Sequence, residues 1–292
     1  MKKLHILITM DVEPPLPAGT RPEGASGPRD IAESTRAIEG YVARAAAHGF
    51  PVTMMIHPEV THLQADLLRR LEAGAGACLG LHLHPWKFSD GRWRAHFGGL
   101  DATQQCAIVS EAVAMWQAGM GRRPSYFRPG TFSANDFTFG VLDTLGFRGG
   151  SVSIPGRVFP DLNAVWAGCV PDPHRGHRCF RQLPGDLGFV NIPLSVDLSS
   201  VEWRGERQFC WDLRPDWLQA DYARIAHNIV GQVLARDPAV PVVQVVTHND
   251  NDFSDPADRV CRNFVTVLEQ IGAACAAHGV QAAGATFADV CG

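Results

Sequence analysis

Four short stretches of this 292-residue chain carry side chains able to hold a metal ion and move protons. Asp11 and Glu13 flank Val12 at the end of the apolar run 4–10. In an extended chain, residues i and i+2 share a face about 6.6 Å apart, so both carboxylates can enter one pocket and serve metal ligation and general-base work together. His82 and His84 stand in the same relation within Gly80-Leu81-His82-Leu83-His84-Pro85-Trp86, with Leu81 and Leu83 turned to the other face. Two imidazoles aimed together at a strand end make a ready metal site. In Tyr126-Phe127-Arg128-Pro129-Gly130, the Pro-Gly pair turns the chain and holds a guanidinium at the rim, where it can grip a carboxylate or a substrate oxygen. The run 242–246 leads into Thr247-His248-Asn249-Asp250-Asn251-Asp252, which adds a third imidazole and two acids.

These stretches need a scaffold, and hydrophobic periodicity supplies its outline. Short apolar runs alternate with amphipathic stretches, the signature of repeated βα units. Strands are predicted at 4–10, 52–57, 78–84, 126–128, 149–154, 189–196, 242–247 and 282–287. Helices are predicted at 31–48, 63–73, 102–118, 136–145, 221–235 and 257–278, with Gly49, Gly146 and Gly279 placed to cap three of them. This α/β pattern fits either a closed (β/α) barrel or an open doubly wound sheet, and both gather chemistry at the carboxyl ends of strands. All four reactive stretches fall at such ends. Three segments, 14–30, 155–187 and the aromatic 203–217, read as long irregular loops of the kind that form lids or binding loops.

Composition narrows the function classes. With 46% hydrophobic and 19% charged residues, the chain belongs to a folded globular protein. A net charge of −4 and no Lys/Arg run longer than two argue against nucleic acid as a partner. The opening Met1-Lys2-Lys3 and its short apolar run read as a buried strand and not as an export signal, and no apolar run approaches the ~20 residues that span a bilayer. The expectation is therefore one catalytic domain over residues 1–292, cytoplasmic, acting on a small molecule and not on a membrane. Eight cysteines without a C-x-x-C pair are expected as reduced thiols, although Cys169 and Cys179 are near enough in sequence to bridge. The remaining histidines, His57 among them, are read as structural or solvent-exposed, apart from His174 and His177 in the second loop.

In order and spacing the four stretches resemble the motifs of the polysaccharide deacetylase family, the family 4 carbohydrate esterases and their relatives, over nearly the whole chain. The resemblance implies a distorted (β/α)7 barrel. It implies Asp11 as general base, Glu13 as carboxylate ligand, His82 as imidazole ligand, Arg128 as orienter of Asp11 and His248 as general acid, with Asp11 and Glu13 exchangeable in role. The family's second imidazole stands four residues after the first, where this chain has Trp86, so His84 is assigned as ligand from strand geometry. The Asp-Trp motif that precedes the family's last strand is not recognisable, with Asp197 and Asp212 the nearest acids. Trp86, Trp203, Trp211 and Trp217 are read as surfaces for a sugar face, and Pro129, Gly130 and Asp250 as further substrate-binding positions.

The activity so implied is metal-assisted hydrolysis of an N-acetyl or similar short acyl group on an amino-sugar-like small substrate. The expected cofactor is a divalent metal, Zn2+ first. Three rivals use the same residues: a cyclic amide or ureide hydrolase of the same fold, a two-His-one-carboxylate iron oxygenase, and a non-catalytic carbohydrate-binding descendant.

Overall fold

The computed structural model describes residues 2–16, 27–88 and 92–292. Most of the loop expected over 14–30 lies outside the described residues. In chain order the strands begin with β1 (Lys3–Val12), β2 (Val52–Ile56), β3 (Cys78–Leu83), β4 (Tyr126–Pro129) and β5 (Gly149–Gly150). The short β6 (Val158–Phe159), β7 (Ala164–Val165), β8 (His174–Arg175) and β9 (Val190–Asn191) follow. Last come the hairpin β10 (Val196–Arg204) and β11 (Arg207–Asp212), then β12 (Val242–His248) and β13 (Gln281–Gly284). The helices are α1 (Ile31–Ala47), α2 (Val60–Leu63), α3 (Ala65–Ala75), α4 (Ala102–Met120), α5 (Thr138–Thr144), α6 (Tyr222–Arg236), α7 (Arg259–Ala277) and α8 (Phe287–Cys291).

The principal sheet runs β12-β1-β2-β3-β4-β5-β9-β8, parallel except for β8, with β13 also on β1. Its central strands are buried along almost their whole length, as a helix-covered parallel sheet requires. The sheet curls until its two ends nearly meet, and side chains take the place of a backbone ladder across the seam. Ser195 Oγ accepts from the Gln244 N–H at 2.9 Å, and Gln244 Nε2 donates to Ser151 Oγ at 2.7 Å. The architecture is thus a distorted barrel, which decides between the two arrangements that strand counting leaves open. Asp30, Asp101 and Asp258 cap α1, α4 and α7, each accepting from backbone N–H groups of the first turn. Gly49, Gly146 and Gly279 adopt the left-handed conformation expected of them.

The structure departs from the sequence reading in several places, and the strands expected over 149–154 and 189–196 shorten to the two-residue β5 and β9. The stretch 203–217 is not irregular through its length: its first part is the β10–β11 hairpin, turned by Gly205 at φ 62°. The segment 155–187 contains β6, β7 and β8, each two residues long and too short to show a period of two. The strand expected over 282–287 stops at Gly284, because Thr286 and Asp289 form a capping box that opens α8 at Phe287. Strands β10, β11, β6 and β7 form a second, four-stranded sheet. All eight cysteines are free, Cys169 and Cys179 included. No helix among the described residues is long and apolar enough to cross a membrane.

Candidate active site

Parallel register delivers the reactive residues to one end of the barrel. Asp11 of β1 lies opposite His248 of β12, and His82 of β3 lies opposite Arg128 of β4. Glu13, one residue beyond β1, is fully buried. Its Oε1 is 2.9 Å from His82 Nε2 and 3.0 Å from His84 Nε2, while its Oε2 is 2.9 Å from Lys87 Nζ. One ligand atom from each of Glu13, His82 and His84 lies within 4.8 Å of the others.

The hydrogen bonding of His82 tests whether this cluster suits a cation. Its Nδ1 donates to the Arg128 carbonyl at 3.0 Å, which leaves the Nε2 lone pair facing the Glu13 carboxylate. Two electron-rich atoms at that distance require a positive charge, either a proton or a metal ion. An imidazole fixed by a carbonyl on one nitrogen and bare on the other is the usual form of a metal-ligating histidine. The residues fit a divalent cation.

The charges agree with this assignment. Burial alone would push the Glu13 carboxyl up, but Lys87, His84 and His82 outweigh it and hold the group well below the ordinary carboxylate range. Burial would strip the proton from His82, yet Asp11 and Glu13 keep its pKa above the usual histidine value. At His84 burial wins, with Glu13 opposing and Lys87 assisting, and the pKa falls to about 4, so this imidazole is neutral and free to ligate at neutral pH.

His84 is seated by packing. A Cβ at Gly130 would lie 2.2 Å from His84 Nδ1, so only glycine fits there, and that nitrogen has no hydrogen-bond partner among the described residues. Beyond Gly130, Thr131 and Phe132 both take φ of 56°, a conformation costing non-glycine residues of order 1–3 kcal/mol each. Their carbonyls are pinned: Trp166 Nε1 donates to Phe132 at 2.7 Å, and an Arg157 N–H donates to Thr131 at 3.2 Å.

Asp11 is held from one side. Arg128 donates to its Oδ1 at 2.6 Å and to Thr9 Oγ1 at 2.9 Å, and Thr9 in turn donates to the Val245 carbonyl. Its Oδ2 stands 4.0 Å from both His82 Nδ1 and His248 Nε2. Burial favours the protonated acid, but Arg128, His82 and His248 together lower the pKa and keep Asp11 ionised. A cavity of about 240 Å³ opens here, lined by Asp11, His84, Arg157, Phe159, Arg214 and His248.

The sequence-predicted residues Asp11, Glu13, His82, His84, Arg128 and His248 are therefore brought together. Trp86 packs edge-on to His84 with ring centroids 5.3 Å apart, and Pro129 ends β4 beside His84's seat. None of the expected substrate-binding residues Trp86, Pro129, Gly130, Trp203, Trp211 and Asp250 is among the described residues that line the cavity. Trp203 sits on the hairpin, 61% exposed, and Trp211 packs against Trp217 at 4.7 Å. Asp250 falls in the turn after β12, where it accepts from Asn251. His174 packs against Phe139 of α5 and His177 against Phe180, and neither is among the described residues that line the cavity. Of the two acids nearest the missing motif, Asp212 grips Arg214, which lines the cavity, whereas Asp197 is tied to Arg224, Asn228 and Gln232.

Five contributors escaped the sequence reading: Lys87, Asn249, Arg157, Arg214 and His57. The signal for His57 was available, since it ends a strand and precedes a proline like His84. Val12 pairs with Ile56, so the same register sets His57 beside Glu13. It is fully buried, neither ring nitrogen has a partner among the described residues, and burial drives its pKa down to about 3.

No family model matches the chain, and no curated protein matches it in sequence. As a fold it is similar to a candidate polysaccharide deacetylase from Mycobacterium smegmatis, with TM-score 0.54 and 15% identity over 89% of this chain and 77% of that one. A candidate glycoside hydrolase/deacetylase from Parabacteroides distasonis gives TM-score 0.65 and 12% identity over 98% and 70%. Puue allantoinase gives 0.56 and 14% over 99% and 89%. The distorted barrel of this chain is the fold of these proteins.

Proposed function

We propose that this chain is a metal-dependent hydrolase of the polysaccharide deacetylase kind, which removes a short acyl group, N-acetyl first, from the nitrogen of an amino-sugar-like small molecule. The observation that carries the reading is the buried Glu13–His82–His84 cluster beside a cavity shared by Asp11 and His248. Two imidazoles and a carboxylate are a donor set for Zn2+ and other divalent transition metals. Such a cation, when bound, lowers the pKa of water towards ~7 and polarises a carbonyl.

The chain's own residues supply the rest. Glu13, His82 and His84 hold the cation. Asp11, ionised and aimed by Arg128, takes the proton of the attacking water. His248, whose Nε2 stands 4.0 Å from Asp11 Oδ2 in the same cavity, gives a proton to the departing amine. The cavity, at about 240 Å³, is below the roughly 300–1,000 Å³ of drug-sized sites and favours a small substrate over a polymer.

Metal analysis of the purified protein, with acetate release measured across a panel of N-acetyl amino sugars before and after chelation, tests the reading. The expected result is one divalent ion per chain and acetate release that chelation stops and the metal restores. Absence of either metal binding or acetate release overturns it. A second reading, hydrolysis of a cyclic amide or ureide, is favoured by the fold shared with Puue allantoinase and by the small cavity. Ring opening without acetate release distinguishes it.

A further inference from the structure

Among the described residues, every guanidinium around the cavity has a carboxylate partner except one. Arg128 pairs with Asp11, Arg207 grips Asp161 with Nε 3.1 Å from Oδ1, and Arg214 forks onto both oxygens of Asp212. Arg157 is 8% exposed and lines the same cavity, yet no carboxylate among the described residues pairs with it. Its one hydrogen bond runs from a terminal nitrogen to the Thr131 carbonyl at 3.2 Å, and its Nε is buried without a partner. The guanidinium is flanked by the rings of Phe159 at 4.7 Å and Phe132 at 5.6 Å, which fix its plane.

A buried cation without a counter-charge is costly, and guanidinium N–H groups in a fixed fork match the oxygens of a carboxylate or phosphate. The backbone around Arg157 is tied down by the Trp166 N–H, which donates to its carbonyl at 2.7 Å, so the side chain is presented from a fixed base. Asp216, which also lines the cavity and has one buried oxygen without a partner, offers an acceptor for hydroxyl or amine groups.

We infer that Arg157 is the recognition residue for an anionic group, a carboxylate or a phosphate, carried by the substrate of this site. The inference rests on the cavity being the catalytic one and adds the substrate's charge class to the reading above. The substrate is then an N-acylated compound bearing an oxyanion, its acyl group at Asp11 and the metal ligands and its anion at Arg157.

Binding, and not turnover alone, tests this. N-acetylglucosamine, its 1-phosphate and its 6-phosphate, and the carboxylate N-acetylmuramic acid are titrated calorimetrically into the metal-loaded protein, the Arg157→Gln variant and the Arg157→Lys variant. Acetate release is followed in parallel. At least one anionic compound is expected to bind tenfold or more tighter than neutral N-acetylglucosamine. Arg157→Gln is expected to bring the ratio of anionic to neutral affinity down to about one, whatever its effect on neutral affinity, and Arg157→Lys to retain most of that ratio. Comparison of the phosphate and carboxylate arms says which oxyanion is read. Equal affinity for neutral and anionic compounds, no binding across the panel, or a preference that survives Arg157→Gln overturns the inference. So does an equal loss of turnover on neutral and anionic substrates in Arg157→Gln, which would assign the residue to the acyl group. Arg157-dependent binding without acetate release would sustain the inference and overturn the hydrolase reading instead.

Discussion

Asn249 clamps the backbone of Glu13 with both ends of its side-chain amide. Its Oδ1 accepts from the Glu13 N–H at 2.8 Å, and its Nδ2 donates to the Glu13 carbonyl at 3.0 Å and to Ser34 Oγ at 2.8 Å. A residue just past β12 thereby fixes the carboxylate ligand that follows β1. Asn249→Ala leaves two buried backbone groups unpaired, at about 1–3 kcal/mol each. Metal affinity is expected to fall roughly 10–100-fold, as for other groups that support a ligand. Denaturation of the chelated protein and competition against a metal indicator measure the two effects. Unchanged metal affinity would show that Glu13 needs no clamp.

Gly130→Ala probes the second imidazole without touching a ligand. The added methyl has its nearest neighbour in the ring of His84, at 2.2 Å from Nδ1, so the ring must move. The expected outcome is metal affinity lowered by about tenfold or more, with His82 and Glu13 intact. If metal binds Gly130→Ala as tightly as the parent, His84 is not a ligand.

Asp11→Asn separates proton transfer from metal binding. Asparagine can still accept from Arg128, but the base is gone. Turnover is expected to drop by about 10²–10⁴-fold with metal content unchanged. Stability also falls, because removing one charge of a buried pair strands the other at a cost of about 3–5 kcal/mol. Turnover and metal content are measured on the same preparation, and full activity would return the base role to Glu13.

His57 makes the metal-free protein acid-sensitive. Its folded pKa of about 3 lies below the ordinary 6.5, so between those values the unfolded chain takes up a proton that the folded chain does not. Unfolding free energy therefore declines as pH drops from 6.5 towards 3, and the contribution is intact above 6.5. His84, depressed to about 4, acts with the same sign. His57→Leu is expected to give a shallower fall in Tm over that range in chelator, with the slope due to His84 remaining. An identical pH slope in parent and variant would show that His57 is not buried uncharged.

The chain's local order determined a great deal. Strand β1 ends in Asp11-Val12-Glu13 and β3 in His82-Leu83-His84, and a period of two is enough to turn each pair to one face. The alternation of strands and helices placed those ends on one side of a parallel sheet, because parallel strands all point the same way. Local signals also placed the caps at Gly49, Gly146 and Gly279, since helix termination is decided by neighbouring residues. Tertiary structure decided what depends on register and on approach between segments far apart in sequence. His57 became a neighbour of Glu13 only through the pairing of β1 with β2, and Asn249 its clamp through the pairing of β1 with β12. The cavity's guanidinium groups of Arg157 and Arg214 come from segments flanking strands too short or too aromatic to be read locally. The curl of the sheet, closed at Ser195 and Gln244, is likewise a property of the assembled strands, because no single strand encodes where the last will meet the first.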